Sequence, residues 1–240
     1  MLNIPELENN MLRKLHFSLM LFLLFCSAGY AADWVNLFDG STLNGWSVRG
    51  GFAKYHVEDG AIVGTTANGS LNTFLCTEKE YGNFILELEV KTDQLLNSGV
   101  QVRSHIVEKE SVIWFILEGL TQPRRREMKP GDVYGYQVEV SNEEQGLSGF
   151  VYDEGRRRIM LGERAYASDN KSALKDNQWN AFRIECRGDR IQSWVNGIPR
   201  ADFRDMMSDR GVIGLQVHRI SENTGPFQVR FRNIRIQELK

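Results

Sequence analysis

The 240-residue sequence is poor in cysteine and proline, and its charges nearly cancel. It has three cysteines and five prolines, and 29 basic residues stand against 31 acidic ones. So few cysteines exclude a disulfide-rich scaffold, and the near-neutral charge gives no electrostatic reason to expect nucleic acid as a partner. The longest apolar run, residues 19–25, is too short to be a stable membrane span. The 42% hydrophobic and 25% charged composition is that of a folded globular chain.

The N-terminus has the features of a targeting segment. Arg13 and Lys14 precede the apolar run, and small residues follow it up to Ala32, as in a cleaved signal sequence. The pattern predicts a signal peptide over residues 1–32 and export to the periplasm or the extracellular space.

Three details of the N-terminal region and the cysteine content leave alternatives open. Met11 directly precedes the basic residues and is an alternative start. Cys26 raises a lipoprotein alternative, which the bulky Phe25 before it disfavours. Cys76 and Cys186 remain in the mature chain, and the sequence does not decide between a disulfide and two buried thiols.

Residues 133–140 alternate apolar and polar side chains with a period of two, which predicts a β-strand with one buried face. Tyr136, Val138 and Val140 would face the core. Gln137 and Glu139 would face solvent on the opposite side.

Two further segments, 98–105 and 212–218, repeat this pattern. Gln101, Arg103 and His105 would lie on the polar face of one strand, and Gln216 and His218 on that of the other. If the strands share a sheet with their apolar faces on the core, these polar side chains meet on one wet surface. We take that surface as the candidate site.

The whole chain shows ten to twelve short strand-like segments separated by turn residues, with almost no helical periodicity. This predicts an all-β fold, an antiparallel two-sheet jelly-roll sandwich, with a single domain over residues 33–240. Residues 106–130 break the rhythm and would form a short helix, a buried strand or an inserted flap.

Several motifs occur in an order that resembles a known family. They are 36–46 (NLFDGSTLNGW), 97–104 (NSGVQVRS), 133–140, 149–157, Trp179-Asn180 with Asn196-Gly197, 214–218 and 231–236. Together they are similar to the 3-keto-glucoside lyase and hydratase domain, also called 3-keto-disaccharide hydrolase. The resemblance implies a concanavalin-like jelly roll that acts on mono- or disaccharide glycosides whose C3 hydroxyl another protein, a sugar 3-dehydrogenase, has already oxidised. The longer and more apolar segment 106–130 departs from the expected short polar turn.

A ketone at C3 acidifies the proton at C2, so this chemistry needs a base, a donor for the enolate oxygen, and an acid or metal for the departing oxygen. His218 has the side-chain pKa best suited to the base, and Glu139 could be the base or could orient the histidine. Arg103 suits an enolate clamp because its guanidinium is always charged. The remaining candidates offer amides that bind sugar hydroxyls: Gln101, Gln137 and Gln216.

Other residues are expected at the edges of the site. The family motif extends through Asp153 and Arg157, which predicts a place for both at the cleft rim. Trp194 could stack on a sugar ring or pack in the core. A divalent metal could be bound by His218 and Glu139 with His105 or Asp153, although no spacing resembles a dedicated zinc site.

Two other functions remain open. A conventional glycosidase needs two carboxylates about 5 to 10 Å apart, and Glu139 with Glu143 is a poor pair because a turn at Ser141-Asn142 would separate them. A non-catalytic carbohydrate-binding module would need aromatics and amides but no base.

Overall fold

The computed structural model describes residues 33–117, 119–162 and 173–240, in which there are seventeen β-strands and no helix. In chain order the strands are β1 (Val35–Asn36), β2 (Trp46–Gly50), β3 (Lys54–Glu58), β4 (Ala61–Thr65), β5 (Thr73–Thr77), β6 (Phe84–Thr92), β7 (Ser98–Ile106), β8 (Ser111–Phe115), β9 (Arg124–Met128), β10 (Val133–Val140), β11 (Val151–Glu154), β12 (Met160–Leu161), β13 (Asn180–Arg187), β14 (Arg190–Val195), β15 (Ile198–Arg204), β16 (Val212–Val217) and β17 (Gln228–Glu238). None of the described residues belongs to a helix long and apolar enough to cross a membrane. The signal-peptide prediction lies outside the described residues.

Two large antiparallel sheets contain all but two of these strands. Sheet 1 has the order β15-β14-β13-β6-β17-β4-β3, with β1 added beside β17, and sheet 2 has the order β12-β11-β10-β7-β16-β5-β2. Some neighbouring strands follow one another along the chain, as β3 and β4 do, and others come from distant parts of it, as β6 and β17 do, which is typical of an antiparallel sandwich. The predicted all-β antiparallel sandwich is confirmed.

The core lies between the two sheets and follows from the alternation of each strand. Val138 and Val140 of β10 are fully buried against residues of sheet 1 such as Leu86 and Ile184. Their polar neighbours in sequence lie on the face of sheet 2 that points away from sheet 1. We call this face, which carries Gln137 and Glu139, the outer face of sheet 2.

Cys76 and Cys186 are both free thiols, which settles the alternative that the sequence left open. Burial raises the pKa of each thiol to about 12. A thiol with so high a pKa and no access to solvent is unreactive, so both side chains serve as small apolar packing residues.

A β-bulge interrupts the pairing of β7 with β10. Tyr136 lies opposite Val102, but Tyr134 lies opposite His105, so β7 has one residue more than β10 between these pairs. Arg103 takes up the extra length with a positive φ of 48°. Beyond the bulge the alternation of β7 is shifted by one residue.

The segment predicted as a helix, a buried strand or a flap is an inserted hairpin. Strands β8 and β9 pair only with each other, and the insertion begins and ends at Ile106 and Val133, which are paired across β7 and β10. One face of the hairpin is exposed at Trp114, while Met128 on the other face is buried. The inserted hairpin therefore extends from two central strands of sheet 2.

Candidate active site

A cavity of about 670 Å³ lies between the outer face of sheet 2 and the inserted hairpin. Its volume is within the range of about 300 to 1,000 Å³ that is usual for small-molecule sites. The floor is formed by side chains of β5, β10 and β11, and one wall by the hairpin and the loop that follows it. Its polar lining residues are Asn72, Asn97, Arg126, Glu127, Lys129, Asp132, Gln137, Glu139, Tyr152, Glu154, Arg158, His218 and Arg219.

Glu139 is the central acidic group of this cavity. Gln137 Nε2 donates a hydrogen bond to Glu139 Oε1 at 2.7 Å, and Asn97 Nδ2 donates to Glu139 Oε2 at 3.4 Å. The carboxyl group has no ion-pair partner within 4.0 Å in the described part of the chain, although the cavity contains four basic side chains.

Burial raises the pKa of Glu139 to about 7, against the smaller opposing effect of the two amide donors. The negative charge of Glu154 nearby raises it further. Burial also raises the pKa of Glu154, which accepts a hydrogen bond from Asn72 Nδ2 at 3.4 Å. A carboxyl group with a pKa near neutrality can give and take a proton at physiological pH, which is the property of a general acid or base.

His218 lies just after β16 and lines the same cavity. Its Nδ1 is 2.6 Å from the backbone carbonyl oxygen of Arg219. Because a carbonyl oxygen only accepts, Nδ1 must carry a proton, and the neutral ring then has its lone pair on Nε2. Burial lowers the pKa of His218, which keeps the ring neutral near pH 7. The geometry thus prepares Nε2 to act as a base.

Arg126, on the inward face of the inserted hairpin, brings a guanidinium group to the cavity. Its Nε is buried and has no hydrogen-bond partner among the described residues. The adjacent Arg125 is exposed and pairs with Glu127 at 3.3 Å. Arg126 therefore differs from its neighbour in having donor capacity left for a ligand.

The three glutamines predicted for the site all lie on the outer face of sheet 2, at different depths. Gln137 lines the cavity. Gln101 is completely buried behind it, with Nε2 donating to Gln137 Oε1 at 2.8 Å. Gln216 is also completely buried, and neither atom of its amide has a hydrogen-bond partner among the described residues.

The prediction that Arg103 shares the polar face is wrong, and the bulge is the reason. With its positive φ, Arg103 leaves the strand alternation and its side chain points toward the end of sheet 1. There it donates to the carbonyl oxygens of Gly82 and Gly188 at 2.7 and 2.6 Å and to Asn83 Oδ1 at 3.0 Å. The side chain is fully buried and ties the two sheets together.

The predicted rim positions of Asp153 and Arg157 are also wrong. Asp153 lies opposite Tyr136 and therefore on the core side of β11, where it is fully buried. It pairs with Arg156, at 3.0 Å, and with Arg157, whose Nη1 also contacts Asp205 at 2.6 Å. These residues form an internal ion-pair cluster at the edge of the sandwich.

Trp194 lies on the other side of the molecule. It belongs to β14 of sheet 1 and faces outward, where it lines a separate cavity of about 680 Å³. The guanidinium of Arg183 lies 5.8 Å from its ring centroid, and Arg183 is itself paired with Glu87. Trp194 does not pack in the core, so that alternative is wrong, and it does not line the cavity that contains Glu139. Stacking of its ring on a sugar stays a prediction.

The ligand set considered for a divalent metal is not brought together. Asp153 is on the core side, and His105 Nε2 lies 3.1 Å from Ser208 Oγ at the edge of the sandwich. Within the described ranges, no three histidine, cysteine, aspartate or glutamate side chains are grouped in a way that could hold a metal ion. Glu139 and His218 alone do not define a metal site.

The structure also adds site residues that sequence reasoning missed. Tyr152 lies directly opposite Gln137, which places Tyr152 and Glu154 on the polar face in place of Asp153. The alternation Val151, Tyr152, Asp153, Glu154 contained this signal, because the apolar Val151 marks the core-facing parity. Nothing in the sequence indicated that Asn72, Asn97 and Arg126 would meet Glu139.

The sequence model of the 3-keto-alpha-glucoside-1,2-lyase-like domain matches residues 33–237, nearly all of the described chain. No curated protein matches the sequence. The family match makes this a carbohydrate-acting protein.

Solved structures with similar folds are distant in sequence. A protein of unknown function with a galectin-like fold from Bacillus subtilis has a TM-score of 0.58 at 11% identity, covering 87% of this chain and 96% of its own. The carbohydrate binding module CBM66 from Bacillus subtilis has a TM-score of 0.53 at 16% identity, covering 82% and 98%. A protein from Parabacteroides distasonis ATCC 8503, provisionally described as a glycosyl hydrolase, has a TM-score of 0.52 at 19% identity, covering 86% and 94%. At these identities the likeness supports the jelly-roll fold and no more.

Proposed function

Because this chain belongs to the 3-keto-alpha-glucoside-1,2-lyase-like family, we propose that it cleaves 3-keto-glycosides by removing the C2 proton and eliminating the oxygen at C1. One observation supports this most directly. Glu139 and His218 line one cavity, where burial raises the pKa of Glu139 to about 7 and lowers the pKa of His218, so that a protonated carboxyl group and a neutral imidazole can be present together near neutrality.

In the proposed elimination, His218 Nε2 takes the proton from C2, and the electrons of that bond form an enolate with the C3 oxygen. The enolate then collapses to a C1–C2 double bond and restores the ketone, while the C1–O bond breaks. Glu139, in its protonated form, gives its proton to the departing oxygen. The products are an unsaturated keto-sugar and the free alcohol.

Hydration would reverse the proton movements at the same two residues. Water adds to C1 and loses a proton to Glu139, while C2 takes the proton held by His218. Both residues return to their starting states, and the net reaction is hydrolysis of the glycoside. The cycle therefore requires Glu139 to act first as an acid and then as a base.

Arg126 replaces Arg103 as the proposed donor to the enolate oxygen. A transition state with charge on the C3 oxygen is stabilised by a fixed cationic donor. Arg126 lines the cavity and has a buried Nε with no partner in the described ranges, whereas Arg103 has three acceptors elsewhere.

A second candidate function is conventional glycoside hydrolysis. It is favoured by the presence of two carboxyl groups, Glu139 and Glu154, in one cavity, both with a raised pKa. In that mechanism the group that stays protonated is the acid, and the other acts on water or on the anomeric carbon. This pair replaces the pair of Glu139 and Glu143.

The decisive experiment compares a 3-keto-glucoside with its unoxidised parent, using the full chain and following both bond cleavage and solvent-deuterium incorporation at C2. We expect turnover and C2 exchange with the keto form only. His218→Ala is expected to lower C2 exchange about 100- to 10,000-fold, and the matched variant His56→Ala, on the far sheet, is expected to have no effect. Turnover of the parent would favour the conventional glycosidase, and binding without turnover would favour a carbohydrate-binding module.

The oxidised sugar must come from a separate dehydrogenase that acts at C3. We propose that the cleavage takes place after export, in the periplasm or outside the cell.

A further inference from the structure

Behind Glu139, three buried side chains form a continuous hydrogen-bonded chain along the outer face of sheet 2. Ser104 Oγ lies 2.5 Å from Gln101 Oε1, Gln101 Nε2 lies 2.8 Å from Gln137 Oε1, and Gln137 Nε2 lies 2.7 Å from Glu139 Oε1. Neither Ser104 nor Gln101 lines the cavity, and both are fully buried. We call this series, from Ser104 to Gln137, the amide chain.

An ionised Glu139 fixes the direction of every bond in the amide chain. A carboxylate only accepts, so Gln137 must turn its NH₂ toward it and its Oε1 toward Gln101. Gln101 must then present its own NH₂ to Gln137 and its oxygen to Ser104. Ser104 completes the series by donating its hydroxyl proton.

A protonated Glu139 is compatible with the opposite direction. Its O–H can donate to a reversed Gln137 amide, which donates to a reversed Gln101 amide, which donates to Ser104 Oγ. The Ser104 hydroxyl then needs another acceptor, and the carbonyl oxygens of Val102 and Tyr136 lie 3.2 and 3.4 Å away. Each direction keeps every link between neighbouring side chains.

Two backbone features make the amide chain possible. The bulge at Arg103 shifts the register of β7 so that Ser104 reaches Gln101 on the polar side. Gly99, opposite Glu139 on β7, leaves the space that Gln137 occupies, since a Cβ there would lie 2.4 Å from the Gln137 amide carbon. Without the bulge and this glycine, the three side chains would not align.

We propose that Ser104 and Gln101 are positioning residues, which act through Gln137 to support both the ionised and the protonated states of Glu139 by reversing the direction of the amide chain. The relevance to catalysis rests on the proposed function, in which Glu139 must be acid and base in turn. The reversal itself is a property of the folded protein and does not require substrate.

Other charged and titratable groups face Glu139 as well and would be the same in every variant compared. They come from β11, from the turn after it, from the end of β16 and from the inserted hairpin and its following loop: Tyr152, Glu154, Arg158, His218, Arg219, Arg126, Glu127, Lys129 and Asp132. A change in the titration of Glu139 on altering the amide chain alone can therefore be assigned to the chain.

The test is a pH titration of the full chain by NMR without substrate, following the Glu139 side-chain carboxyl ¹³C and the Gln101 side-chain amide ¹⁵N. We expect both signals to change at the same pH midpoint, although Gln101 does not touch Glu139. Ser104→Ala is expected to raise the Glu139 midpoint by about one pH unit, because bonds polarised toward a carboxylate stabilise its ionised form most.

The matched control is Ser98→Ala. Ser98 lies on the same strand, is equally buried, and donates to the carbonyl oxygen of Gln216 at 2.7 Å, outside the amide chain. In Ser98→Ala the pH midpoint of the Glu139 titration should equal that of the wild type. A Gln101 signal that stays constant while Glu139 titrates, or equal midpoints in Ser104→Ala and Ser98→Ala, would overturn the inference. Absence of keto-glycoside turnover together with the expected titration would reject the proposed function and leave the amide chain intact.

Discussion

Replacing Glu139 by glutamine is expected to stabilise the fold, and to do so more strongly as the pH rises. Burial raises the pKa of Glu139 to about 7 from an ordinary value of 4.5. Between these two values the folded state binds a proton that the unfolded state has released, so the stability of the wild type falls as the pH increases through this window. The amide of Glu139→Gln does not titrate and keeps an oxygen that can accept from Gln137 Nε2.

The size of the effect follows from the difference between the two pKa values. With 7 in the folded state and 4.5 in the unfolded state, the linkage relation gives a loss in the wild type of roughly 0.8 kcal/mol at pH 5 and roughly 3.3 kcal/mol at pH 8. The advantage of Glu139→Gln in unfolding free energy should therefore grow by about 2.5 kcal/mol over this range. Above pH 8 it should stay nearly constant.

Urea denaturation of the wild type and Glu139→Gln at pH 5, 6, 7 and 8 measures this difference. Glu185→Gln controls for the replacement of a carboxylate by an amide, because Glu185 lies on sheet 1 in ion pairs with Arg183 and Arg187. If the difference in unfolding free energy between the wild type and Glu139→Gln did not depend on pH, a raised pKa of Glu139 in the folded state would be refuted. Glu139→Gln should at the same time lose most of the activity, because an amide cannot give a proton to the departing oxygen. This is the trade-off expected where a buried group that is needed for activity destabilises the fold.

Three other measurements address the site. Arg126→Ala is expected to lower kcat/KM on a 3-keto-glucoside by about 100- to 1,000-fold, as for loss of an oxyanion donor. The control Arg125→Ala, at an exposed position, should stay near wild type. Equal effects of the two substitutions would exclude Arg126 as the donor to the enolate oxygen. Gly99→Ala is expected to displace the Gln137 side chain, to lower the unfolding free energy by about 1 to 3 kcal/mol and to reduce activity. The control Gly82→Ala, whose Cβ would meet nothing closer than 3.6 Å, should be tolerated. Unchanged stability and activity in Gly99→Ala would contradict the close packing of Gln137 on Gly99. A plot of kcat/KM against pH should be a narrow bell, which rises as His218 loses its proton below pH 6.5 and falls as Glu139 ionises near pH 7. A profile that is flat from pH 5 to 9 would exclude His218 as the base and Glu139 as the acid.

Strand periodicity was enough to predict much of the fold and the centre of the site. It separated Val138 and Val140 from Gln137 and Glu139 correctly, because burial on one face of a strand imposes a strict period of two. The same rule failed at Arg103, where a single extra residue in β7 changes the parity. A bulge leaves little trace in the composition of a strand, so the sequence could not reveal it.

The remaining errors have different physical causes. Charged side chains usually face water, which favours a rim position for Asp153, but two arginines, Arg156 and Arg157, pair with it inside the sandwich. Trp194 lies on the wrong sheet for this cavity, and alternation says which face of a strand is polar without saying which sheet the strand joins. Arg126 was missed because the position of an inserted hairpin over a sheet depends on long-range packing.

The inserted hairpin leaves and rejoins the sandwich at Ile106 and Val133, which are cross-strand partners, and Val107 already donates to the carbonyl oxygen of Asp132 at 2.9 Å. An insertion whose two ends meet in this way is modular, because its length and composition can change in evolution or by grafting while the strands beneath keep their pairing. Relatives that share this sandwich could therefore diverge in the sugars they admit through exchange of this one segment, with the proton-transfer groups on the sheet left in place.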